Sequence, residues 1–175
     1  MTTRALLAAL AVLMVALTGC GSGTPDTAPP ARGAACVADP GMDDEYCDRF
    51  MTDLGRRTPP ASEQAEAARA AETAVATALS GRVLDRCNAG EGSCTDLIAW
   101  GDQPATPEEI RDRLTSIDPG ALVRVPRPGD PAVTGSVVFG VLVGTICVYG
   151  HQRFKKGPER VYAGGPLPGG TCLAP

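Results

Sequence analysis

The groups in this sequence best suited to chemistry are few and widely spaced. His151 is the only histidine, so an imidazole-based metal site would lack its second imidazole. A Ser-His-Asp hydrolase would have to use His151, and the chain contains no Gly-x-Ser-x-Gly to support one. Near the end of a predicted strand, His151 reads as a surface residue. Asp39, Asp43, Asp44 and Glu45 crowd beside Pro40 and Gly41. Calcium needs six or more oxygens in a defined loop, and this spacing does not follow an EF-hand, so a solvated loop entering a helix accounts for them. Glu108 and Glu109 could act as paired carboxylates, but helix capping already explains both. Arg153, Lys155, Lys156 and Arg160 gather at one predicted hairpin tip. They form either a soluble turn that guards strand edges or a contact patch for an acidic partner or anionic envelope polymer. No catalytic residue, metal or cofactor is assigned from these residues.

The remaining reactive groups are seven cysteines, with no Cys-x-x-Cys pair among them, so a thioredoxin-like redox role lacks its usual motif. Cys20 stands apart from the others. Met1 to Arg4 form a short basic start, and Ala5 to Leu17 follow as an unbroken apolar run. That is the layout of a secretory signal, and the run is too short to span a bilayer comfortably. Leu17-Thr18-Gly19-Cys20 then closes the segment. These four residues resemble the lipobox of bacterial lipoproteins, a resemblance confined to the first 20 residues. It implies diacylglycerol on the Cys20 sulfur, cleavage between Gly19 and Cys20, and usually an acyl group on the new amino terminus. Each buried methylene contributes about 0.8 kcal/mol, and two or three chains hold a protein stably on a membrane. On this reading residues 1–19 are a signal peptide. The exported protein sits at the outer face of the cytoplasmic membrane, anchored through Cys20.

Lipidation of Cys20 leaves Cys36, Cys47, Cys87, Cys94, Cys147 and Cys172. An even number in an exported chain reads as three disulfides. Fifteen pairings are possible. The sequential set Cys36–Cys47, Cys87–Cys94 and Cys147–Cys172 is preferred because each closes a loop containing Gly, Pro or Asp. On the chain-entropy model, loops of these sizes contribute roughly 2.5–3.5 kcal/mol each.

Composition bounds the rest. The mature chain from Cys20 to Pro175 has 156 residues, enough for a tether and one small domain but short for a two-lobed solute receptor. The full sequence carries a net charge of −4, and loss of Arg4 with the signal makes it −5. No basic excess draws the protein to nucleic acid. Residues 20–35 hold almost no large apolar side chain after the lipidated cysteine and read as a flexible tether. Its reach is roughly 20 Å on average and roughly 50 Å fully extended. Residues 36–175 form the domain.

Hydrophobic periodicity predicts its elements. Tyr46, Cys47, Phe50, Met51 and Leu54 make one stripe of a helix over residues 43–54, stopped by Gly55. An alanine-rich helix runs from about Ser62 to Leu79, with Val83 and Leu84 as a possible extension. Leu97 to Trp100 is apolar but of uncertain type, and Trp100 reads as core. Thr106-Pro107-Glu108-Glu109 is an N-cap, a proline at the first helical position and a capping box, followed by Ile110, Leu114 and Ile117 at helical spacing. Ala121 to Val125, Val137 to Val143, Ile146 to His151 and Arg160 to Ala163 are β-rich and separated by Gly and Pro. Helices followed by strands suggest an α+β fold, with two to three N-terminal helices on a small C-terminal antiparallel sheet. The functional expectation is a membrane-anchored, non-catalytic interaction module of the cell envelope, docking on an envelope protein or polymer. The alternatives are a small hydrolase using carboxylates and a small-ligand binder or sensor.

Overall fold

The computed structural model describes Cys36, Met42, Asp43 and residues 45–174. The lipobox, Asp39 and Asp44 therefore lie outside the described residues. Five helices precede a four-stranded sheet: α1 (Tyr46–Gly55), α2 (Ala65–Leu79), α3 (Val83–Asn88), α4 (Cys94–Gly101) and α5 (Pro107–Leu114), then β1 (Leu122–Arg124), β2 (Val137–Val143), β3 (Ile146–Gln152) and β4 (Arg160–Gly164). The strands pair antiparallel in the order β1-β2-β3-β4. This is the expected α+β arrangement.

The β2–β3 hairpin sets the register. Gly144 and Thr145 join the strands, with Val143 facing Ile146 and Val137 facing Gln152. Gly144 has φ +63°, a conformation that costs glycine little at the first position of a two-residue turn. Side chains then alternate between the two faces of the sheet. Val137, Phe139 and Val141 of β2, with Ile146 and Val148 of β3, point to one face and meet α2 and α5. Helix α2 contributes Ala68, Ala71, Val75 and Leu79, one stripe at helical spacing. The alanines let it approach closely, and its larger residues fill the space beside Ile110 and Leu114 of α5. Each fully buried Leu, Ile or Phe here contributes about 1.5–3 kcal/mol. Helix α5 starts as its sequence dictates. The Glu109 backbone N–H donates to Thr106 Oγ1 at 3.3 Å, and the Thr106 N–H donates to Glu109 Oε2 at 3.1 Å.

The opposite face carries Val138, Cys147, Tyr149 and Tyr162 and is also covered. Helix α1 lays Tyr46 and Phe50 near Val133 and Tyr162, and the C-terminal segment lays Cys172 and Leu173 on Cys147 and Tyr149. Gly140 permits this, since a Cβ there would strike Leu173 and Cys172. Buried Arg57 and half-buried Arg124 tie these coverings to the sheet. Arg57 donates through Nε to Asp53 at 2.6 Å and through Nη2 to the Cys172 carbonyl at 3.0 Å. Its guanidinium lies 3.5 Å from the centre of the Tyr149 ring. Burial pushes the Tyr149 phenol up to about 12. Arg124 of β1 donates to Asp130 at 3.0 Å and to the Ala174 carbonyl at 2.9 Å.

The disulfides are Cys36–Cys47, Cys87–Cys94 and Cys147–Cys172, with Cα separations of 5.5, 4.8 and 5.2 Å. This is the sequential set. The first joins residue 36 to α1, the second closes the turn between α3 and α4, and the third pins the C-terminal segment to β3.

Candidate interaction surface

The α3–α4 pair was only partly legible in the sequence. Ser80 leaves α2 in an extended conformation, and Arg82 takes φ +48°. Val83 and Leu84 therefore begin a separate helix instead of prolonging α2. Residues 89–93 turn the chain, and the Cys87–Cys94 bridge closes it. The α3 and α4 helices pack chiefly on each other, and α3 has no buried residue.

The connection between β3 and β4 fixes this helical pair to the domain. The Lys155 and Lys156 backbone N–H groups donate to the Gln103 and Gly101 carbonyls at 3.0 and 2.9 Å, and the Gly81 N–H donates to the Lys156 carbonyl at 3.0 Å. Such close strands of backbone need bare positions. A side chain at Gly81 would meet the Lys155 carbonyl and the Trp100 ring, and one at Gly101 would meet Val83.

The outward side of this assembly is an open depression of about 620 Å³ whose lining includes Arg82, Val83, Leu84, Ile98, Asp102 and Lys156. Leu84 is 69% exposed and Ile98 49% exposed, with charges around them. Arg82 pairs with Asp85 at 3.3 Å and Lys156 with Asp102 at 3.0 Å. The rim is thus close to charge-balanced around an apolar centre, an arrangement suited to contact with another protein surface. Half-buried Trp100 stands behind it, with Arg86 and Arg113 each 5.7 Å from its ring and Lys155 at 5.9 Å. Sequence reasoning read Trp100 as core and missed Leu84 and Ile98. The available signal was an apolar pair that fits no helical stripe.

The four cations expected at a hairpin tip do not form one patch. Lys155 turns to Glu109 at 2.7 Å, Lys156 to Asp102 at 3.0 Å, and Arg153 to Glu159 at 3.3 Å. Arg160 lies on β4 opposite His151. The pair with Lys155, together with the capping bonds to Thr106, holds the Glu109 carboxyl below its ordinary range. Of the acidic group before α1, Asp43 and Glu45 meet Arg49 at 2.8 and 3.6 Å, and the Arg49 contact lowers Asp43. Among the described residues no group of three or more His, Cys, Asp or Glu could hold a metal ion. None of the helices there is long and apolar enough to cross a membrane.

His151 corrects an expectation. It is fully buried, not on the surface, because both faces of β3 are covered. Its ring stands edge-on to Tyr46 with centroids 5.8 Å apart, and neither ring nitrogen has a hydrogen-bond partner of good geometry. Burial lowers its pKa to about 4, helped by the charges of Arg160 and Arg153 and opposed by the Pro131 backbone. Between that value and the unfolded value of about 6.5, the unfolded chain holds a proton that the folded chain does not. The stability from this group is full above pH 6.5 and lost as the pH falls to about 4. The loss is on the order of 3 kcal/mol. Denaturant titrations across that window should show this slope in the native protein and a flatter one in His151→Phe; equal slopes would refute the assignment.

Comparisons with protein-family models, with curated proteins and with solved structures find no match to this chain.

Proposed function

We propose that this chain is an extracytoplasmic lipoprotein, held at the outer face of the cytoplasmic membrane through Cys20, whose domain docks non-catalytically on an envelope protein through the α3–α4 surface. The observation that carries the docking is the exposed pair Leu84 and Ile98 at the centre of a charge-balanced rim. Apolar groups exposed on a disulfide-closed helical pair gain most from a partner that removes them from water. A protein partner is favoured over an anionic polymer because Arg153, Lys155 and Lys156 are already engaged by carboxylates. The lipobox resemblance supports the anchor, and three disulfides suit an exported domain.

Crosslinking capture from native membranes tests the reading. The double replacement Leu84→Asp and Ile98→Asp should leave folding and membrane retention intact, because neither side chain is buried. It should reduce the specifically crosslinked partner at least tenfold, the scale of losing two interface anchors. Undiminished capture would overturn docking at this surface.

A further inference from the structure

The three disulfides differ in accessibility. Cys147 and Cys172 are 0% and 5% exposed, and Cys36 and Cys47 are both half-buried. Cys87 is half-buried and Cys94 is exposed, at a turn that projects from the domain. Their bridge closes only a seven-residue separation, against 11 and 25 for the other two, so on the chain-entropy model it stabilises the fold least. Opening it leaves both sheet-covering cores untouched, since α3 buries no residue and meets chiefly α4.

The two sulfurs are also unequal. Cys94 is the first residue of α4, where free backbone N–H groups stabilise a departing thiolate. Cys87 follows Arg86, a cation that draws an incoming anionic sulfur toward it. Glu91 and Asp96 stand nearby with the opposite sign, and Arg86 engages Glu91 at 3.2 Å.

We propose that the Cys87–Cys94 bridge is a thiol-exchange site whose co-substrate is an external thiolate. The incoming sulfur forms a bond to Cys87 Sγ, and the bond between Cys87 and Cys94 breaks with its electron pair leaving on Cys94 Sγ. A second thiolate then attacks the incoming sulfur and releases Cys87 as a thiolate. Two thiols are oxidised to one disulfide, and the protein pair is reduced by two electrons. Reduction frees α3 from α4 and so disassembles the surface around Leu84 and Ile98; this consequence rests on the docking reading, whereas the exchange itself does not.

The test uses the full-length protein in solubilised membranes, challenged with graded glutathione or with a thioredoxin-class dithiol protein. Free thiols are mass-tagged and mapped by peptide. Cys87 and Cys94 should become labelled at thiol concentrations at least tenfold below those that expose Cys147 and Cys172, and acid quenching should trap the glutathione adduct on Cys87. Faster reaction with the dithiol protein than with glutathione at equal thiol concentration would identify a protein reductant, and equal rates a small thiol; both support the site. Simultaneous opening of the three bridges, earlier opening of Cys36–Cys47 or Cys147–Cys172, or an adduct confined to Cys94 would overturn it. Failure of docking is read separately, from capture by the Leu84→Asp, Ile98→Asp protein under oxidising conditions.

Discussion

Replacing Arg57 with methionine is expected to lower the unfolding free energy by about 3–5 kcal/mol, the scale of removing one partner from a buried ion pair. The side chain is 2% exposed and Asp53 9% exposed, so water cannot take over when the guanidinium goes. The loss has three parts. Asp53 is left as an uncompensated buried carboxylate. The Cys172 carbonyl loses its donor at 3.0 Å. The Tyr149 ring loses the cation stacked 3.5 Å away. The double replacement Asp53→Leu with Arg57→Met should recover much of the deficit, because removing both charges also removes their desolvation cost. Urea denaturation of the three proteins measures this. A loss under 1 kcal/mol in Arg57→Met would mean that the pair does not hold α1 to the C-terminal segment.

Removing the Cys147–Cys172 bridge by the paired change to alanine is the second large effect. The entropic contribution for a loop of this length is about 3.5 kcal/mol, and the deleted sulfurs leave a void under Leu173. Together these should exceed the cost of deleting Cys87–Cys94, for which the loop contribution is about 2.5 kcal/mol and the site is exposed. Thermal unfolding of the two double variants ranks them. If deletion of Cys87–Cys94 proved the more damaging, the helical pair would have to be part of the cooperative core and not a satellite of it.

The parts of the fold legible in sequence are those fixed by local chemistry. Thr106 to Glu109 carry their own capping bonds. Gly144-Thr145 between two β-branched runs specifies a hairpin. The alanine stripe from Ala68 to Leu79 marks one buried helix face. The sequential disulfides followed because each pair lies close along the chain, where closing a short loop costs little entropy. What remained hidden depends on segments far apart in sequence. The β3 strand alternates Ile146, Val148 and Gly150 with Cys147, Tyr149 and His151, and both sets are largely apolar. That pattern belongs to a strand covered on both sides, but only the return of α1, about one hundred residues earlier, places His151 inside. Lys155 and Lys156 looked like part of one patch because their acidic partners, Glu109 and Asp102, lie roughly fifty residues away in sequence. The proposed docking surface was the least legible. Leu84 and Ile98 sit on helices too short for a periodic signal, and their exposure follows from the break at Arg82.

The most direct measurement is the membrane partition of the Cys20→Ala protein, with metabolic labelling by an alkyne fatty acid. The native protein should carry the label, run at the size of the processed chain and pellet with membranes. Cys20→Ala should carry none, and it should either keep its first 19 residues or be released. A Cys20→Ala protein of unchanged size that still pellets with membranes as the native one does would contradict the anchor, and with it the reading of this domain as a tethered docking module.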